Sequence, residues 1–95
     1  MHDMPAESNP APDVKKAIPS VKAVAAQYHL TGQLEIAGPI EAPIISSIPW
    51  VICTRAAAAP QQSYALFFKA DTFVSARMST LGDHCDGQTY QPLPN

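Results

Sequence analysis

Two β-rich runs separated by only two residues constrain the fold of this chain more than any other feature. The runs are YALFFK (64–69) and TFVSARMS (72–79), joined by Ala70-Asp71. A two-residue connection between such runs is typical of an antiparallel β-hairpin. Counting outward from this turn predicts three cross-strand pairs on one face, namely Phe68 with Phe73, Leu66 with Ser75, and Tyr64 with Arg77.

A single helix is predicted ahead of the hairpin. Residues 21, 24, 25 and 28 are apolar and recur at the spacing of one helix face. Asp13 can cap an earlier start, but Pro19 is expected to interrupt it, because proline does not fit a helix interior. The sequence therefore predicts a helix over about 20–29, capped by Ser20.

The second face of the hairpin is where this helix is expected to pack. In the predicted register Ala65 lies opposite Ala76 and leaves a shallow place beside Phe67, Val74 and Met78. Small residues facing each other across two strands leave room for the apolar stripe of a helix.

Two further strands are predicted between the helix and the hairpin. PWVICTR (49–55) alternates as a strand does, and a second strand is predicted over about 33–37. Prolines at 39 and 43 put that second strand at a sheet edge, because proline cannot donate to a ladder. The predicted fold class is α+β, a small antiparallel sheet of three to four strands in a meander, with one N-terminal helix on a face.

Length and composition favour one domain. The 95 residues begin with a polar, proline-containing segment, 1–12, which predicts a disordered leader followed by a single α+β domain over 13–95. No window reaches the roughly 18–20 apolar residues that a membrane-spanning helix needs, so no membrane span is expected.

The charge balance argues against polyanionic partners. The net charge is −2, and the six lysines and arginines are scattered along the chain. Nucleic-acid binding needs several cations on one face to displace counterions from phosphates. The same scarcity argues against an anionic membrane surface, so we expect no nucleic-acid partner.

Two cysteines, Cys53 and Cys85, allow one pairing. A small domain with a marginal core favours a disulfide in an oxidising compartment, although two buried free thiols are also common. In a meander the last hairpin strand ends level with the middle or far end of WVICTR, so the two sulfurs can meet. The enclosed loop of about 30 residues predicts roughly 3–4 kcal/mol of stabilisation.

The stretch DHCD (83–86) also suggests two other hypotheses, a metal site and a reactive thiol. Zinc sites use cysteine and histidine in spaced pairs, whereas His84 and Cys85 are adjacent and point opposite ways on an extended chain. Cys53 lies mid-strand, where cysteine is usually structural. No cofactor-binding or catalytic motif is present, so no catalytic, cofactor or metal residue is assigned.

An aromatic surface is the candidate site for a partner. If the hairpin face is exposed, Tyr64, Leu66, Phe68 and Phe73 form an apolar patch with Arg77 beside Tyr64. Such a patch marks a protein interface, and an open sheet edge offers a second mode, strand addition or self-association.

The order of these short motifs resembles small exported, lipoprotein-like proteins of α-proteobacteria that have no known function. The shared pattern is a W-V-x-C-x-R strand, an aromatic hairpin, a second cysteine and then Tyr-x-Pro-[Phe/Leu]-Pro, over roughly residues 31–94. The resemblance implies a periplasmic or envelope location and supports a Cys53–Cys85 pair. In this chain the residues of the shared pattern are Trp50, Val51, Cys53, Arg55, Cys85, Tyr90, Pro92, Leu93 and Pro94.

These observations predict an exported, non-enzymatic binding or structural module of the bacterial cell envelope. If the protein is exported, a signal peptide has been removed ahead of Met1. The expected partner is another envelope protein or a second copy of the chain. The alternative is a small metal-binding or thiol-dependent enzyme that uses His84, Cys85 and Cys53.

Overall fold

The computed structural model describes residues 11–41, 48–79, 85 and 87–93. Within them lie one helix and five strands, so the α+β class is confirmed, whereas the predicted count of three to four strands is too low. The elements are α1 (Val14–Gln27), β1 (Leu34–Glu41), β2 (Trp50–Ala56), β3 (Ser63–Lys69), β4 (Thr72–Met78) and β5 (Gln91–Pro92).

All five strands form one antiparallel sheet, in the order β4-β3-β2-β1-β5. The first four strands make the predicted meander. The fifth comes from the segment after Cys85 and pairs with β1 only at Glu35 and Ile36. A strand of two residues has no periodicity to detect, which is why the sequence did not predict it.

The helix begins earlier than predicted, at Val14, and contains Pro19. Asp13 is its N-cap, and its carboxylate accepts a hydrogen bond from the Lys15 backbone N–H at 3.0 Å. Pro19 is exposed, while Ala17 and Val21 on either side of it are buried. Burial of this longer apolar stripe outweighs the hydrogen bond that proline removes.

A bulge on β4 shifts the hairpin register by one residue. Phe68 pairs with Phe73 as predicted, but Ser75 then lies opposite Phe67. A bulge inserts one extra residue in one strand, and no feature of the turn reveals it. The later pairs are Leu66–Ala76, Ala65–Arg77 and Tyr64–Met78, in place of the predicted Leu66–Ser75, Ala65–Ala76 and Tyr64–Arg77.

The helix packs on a face of the sheet, as predicted, but on the other face from the one expected. Its apolar stripe covers Ile52, Leu66 and Phe68, and the ring of Tyr28 stacks on Tyr64 with centroids 4.5 Å apart. The large side chains thus lie under the helix. The bulge moves Ala76 to this face as well, where it packs against the same cluster.

The second face of the sheet has a core of its own. Its buried members are Ala37, Val51, Cys53, Ala65, Phe67 and Cys85. Because both faces are covered, six of the seven residues of β3 are buried in succession. The sheet is therefore the middle layer, between α1 and the segment that carries Cys85.

The strand β1 continues through Gly38 and Pro39 by way of a register shift between Ala37 and Ile40. Among the described residues, the outer side of β1 is paired only opposite Glu35 and Ile36. The predicted edge position is thus wrong for the strand as a whole, because β5 lies outside β1, although Pro39 itself has no described strand partner on its outer side.

Most of the predicted leader, residues 1–10, lies outside the described residues. Of its last two residues, Ala11 is exposed and Pro12 is buried. Among the described residues there is no helix long and apolar enough to cross a membrane.

Candidate functional site

Cys53 and Cys85 form a disulfide, as the sequence predicted. They are 32 residues apart in the chain, and their Cα atoms are 5.7 Å apart. Cys53 lies in the middle of β2 with its side chain on the face opposite the helix, and both cysteines are almost completely buried. The bond ties the segment after β4 to the centre of the sheet.

Arg55 lies two residues after Cys53 and on the same face. Its guanidinium carbon is 3.8 Å from the centroid of the Tyr90 ring. Its Nε donates to Glu35 Oε1 at 2.8 Å, and both of these side chains are about three-quarters buried. A guanidinium over an aromatic face is attracted by the ring quadrupole, more so when it is partly desolvated.

Tyr90 connects this arginine to the disulfide. Its hydroxyl donates to the backbone oxygen of Cys85 at 3.1 Å. The chain then pairs with β1, the Leu93 N–H donates to the Leu34 oxygen at 2.9 Å, and Leu93 is buried under the helix. We call Cys53, Arg55, Cys85 and Tyr90 the disulfide cluster.

The disulfide cluster brings together residues from two separate parts of the sequence motif. Its disulfide, stacking and hydrogen bond all hold the segment after β4 against the sheet. Both sulfurs are bonded to each other, so neither is a thiolate nucleophile or a metal ligand in this state. No group of three or more potential metal ligands occurs among the described residues. His84, which the alternative hypothesis of a metal-binding or thiol-dependent enzyme uses, lies outside the described residues.

The predicted aromatic surface is divided between the core and the exterior. Tyr64, Leu66 and Phe68 are buried against α1 and do not reach the surface. Phe73 and Arg77 are exposed. Arg77 lies over the Phe67 ring at 5.0 Å instead of beside Tyr64, because the bulge places it on the opposite face of the sheet.

Strand β4 carries a different apolar surface. The large hydrophobic side chains exposed among the described residues are Phe73, Val74 and Met78, at 37%, 47% and 53% exposure. All three belong to β4, which is the outermost strand on its side of the sheet. We call these three residues the β4 surface.

Sequence reasoning did not find the β4 surface because it expected the helix to cover Val74 and Met78. The position of β4 at the end of the sheet leaves all three side chains partly uncovered, including Met78, whose cross-strand partner Tyr64 lies under the helix. The sequence offered one signal of this exposure. The second hairpin strand ends the predicted meander, and a terminal strand has only one neighbouring strand.

The turn between β3 and β4 is fastened to the start of α1. Asp71 Oδ1 accepts from the Asp13 backbone N–H at 2.8 Å, and its Oδ2 lies 3.4 Å from Lys16 Nζ. The hydrogen bond from Asp13, and then the Lys16 ammonium, hold the pKa of Asp71 below its usual value. The contact fixes the orientation of the helix relative to β4.

Comparison with known proteins adds no family to this description. No protein-family model matches the chain, and no curated protein or solved structure is significantly similar to it.

Proposed function

We propose that this protein is an exported, non-enzymatic binding module of the bacterial cell envelope, and that it binds a partner protein through the β4 surface. The observation that carries the proposal is the confinement of Phe73, Val74 and Met78 to one outer strand. An outer strand that carries several exposed apolar side chains can serve as an interaction site.

The partner contact is made by side chains more than by a continuous β-ladder. An outer strand has unpaired N–H and C=O groups that can receive another strand. The bulge between the pairs of Phe68 and Phe67 interrupts the regular alternation of these groups along β4. An extended partner could therefore pair only with the part of β4 on one side of the bulge.

The non-enzymatic part of the proposal is supported by the disulfide cluster. The residues that give the sequence its chemical character, two cysteines, an arginine and a tyrosine, are engaged with one another. The export part is supported by the disulfide itself, because such bonds persist in oxidising compartments, and by the resemblance to small exported proteins.

Site-specific photo-crosslinking tests the proposed surface. A photo-reactive phenylalanine analogue is placed at position 78 of β4, and in a matched control at Ala26, an exposed residue of α1. In α-proteobacterial envelope extract, we expect a discrete adduct from position 78 and none from position 26. The adduct should disappear when an excess of the unlabelled wild-type domain competes, but not when the Val74→Thr/Met78→Gln variant does.

Equal labelling from both positions, or equal competition by the variant, would contradict the proposal. An adduct with twice the mass of the chain identifies a second copy as the partner. Sedimentation of the purified domain then has to show a dimer that the same double variant abolishes.

A further inference from the structure

We draw no further inference here: the strongest candidate, the shallow groove beside β4 where Ile48, Phe67, Ser75 and Arg77 meet, carries none, because nothing in the structure shows what covers it.

Discussion

At the scale of single residues, Gly38 is a position where the backbone conformation and a close contact allow only glycine. Its φ is +106°, in the region that favours glycine, and a Cβ built there would lie 2.9 Å from the Val51 carbonyl oxygen. The close approach is between β1 and its neighbour β2, at the register shift. Any side chain must push these two strands apart.

Gly38→Ala is therefore expected to destabilise the protein by about 2–4 kcal/mol, from unfavourable φ and from the clash together. Urea unfolding measures the change. Gly32→Ala is the matched control, because Gly32 also has a positive φ of +76° but has nothing within 4 Å of its Cβ position. It should cost only about 1 kcal/mol, and an equal cost for both variants would show that the contact with Val51 does not matter.

At the scale of elements, Pro19 in α1 is where local preference and tertiary packing disagree. A proline removes the hydrogen bond to the carbonyl four residues earlier, here that of Lys15. The helix still forms because Ala17, Val21 and Val24 are buried along one continuous stripe. The low helix propensity of proline is thus outweighed by the tertiary packing of the helix.

Pro19→Ala should stabilise the protein by about 1–3 kcal/mol, since it restores that hydrogen bond at an exposed position. Thermal unfolding with the disulfide intact provides the measurement, and Ala23→Gly, at another exposed helix position, should lower stability by about 1 kcal/mol. A lower stability for Pro19→Ala would mean that the proline ring itself contributes to packing.

The link between α1 and the β3–β4 turn predicts a pH dependence. The pKa of Asp71 is lowered from 3.8 by the Asp13 N–H and by Lys16. Its stabilising contribution is thus present above the unfolded pKa and is lost as the pH falls through the lower folded pKa. Asp71→Asn should lower the melting temperature at pH 7, and the difference from wild type should shrink as the pH falls through the lowered pKa of Asp71.

Glu41→Gln controls for the removal of a surface carboxylate, because the exposed Glu41 side chain forms no ion pair with a described residue. A melting-temperature difference for Asp71→Asn that persists unchanged at low pH would argue against a role for the charge. Because the Asp71 side chain is exposed to solvent, raising the salt concentration should also reduce the part of the effect due to Lys16.

Elements were predictable from the sequence where a strong local signal exists. The two-residue turn at Ala70-Asp71 and the alternation of β2 gave the hairpin and the central strand. The later hairpin register and the face under the helix were not predictable. Both depend on one bulged residue near Val74, and a shift of one residue exchanges the two faces of a strand.

At the scale of the whole molecule, the sheet is stabilised from both sides, by α1 on one and by the disulfide cluster on the other. The pairing of Cys53 and Cys85 was predictable, since two cysteines allow one partner each. The stacking of Arg55 on Tyr90 was not, because it depends on the path of the chain after Cys85. The β4 surface was missed because exposure of an outer strand depends on strand order and register together.

The disulfide should account for a large part of the stability of this small domain. Closing a loop of 32 residues stabilises the folded state by about 4 kcal/mol in the chain-entropy model, of the roughly 5–15 kcal/mol typical of a domain. Cys53→Ala/Cys85→Ala should lose about this amount in urea unfolding. A loss below about 1 kcal/mol would mean that the non-covalent contacts of Tyr90 and Leu93 are sufficient by themselves.

The central claim is that the cysteine motif holds the fold together and performs no thiol or metal chemistry. Thiol titration of the protein, purified without reductant and then denatured, tests this most directly. The account predicts no free thiol, and two thiols after reduction. Two free thiols in the unreduced, denatured protein would contradict it and return Cys53 and Cys85, with His84, to consideration as reactive or metal-binding residues.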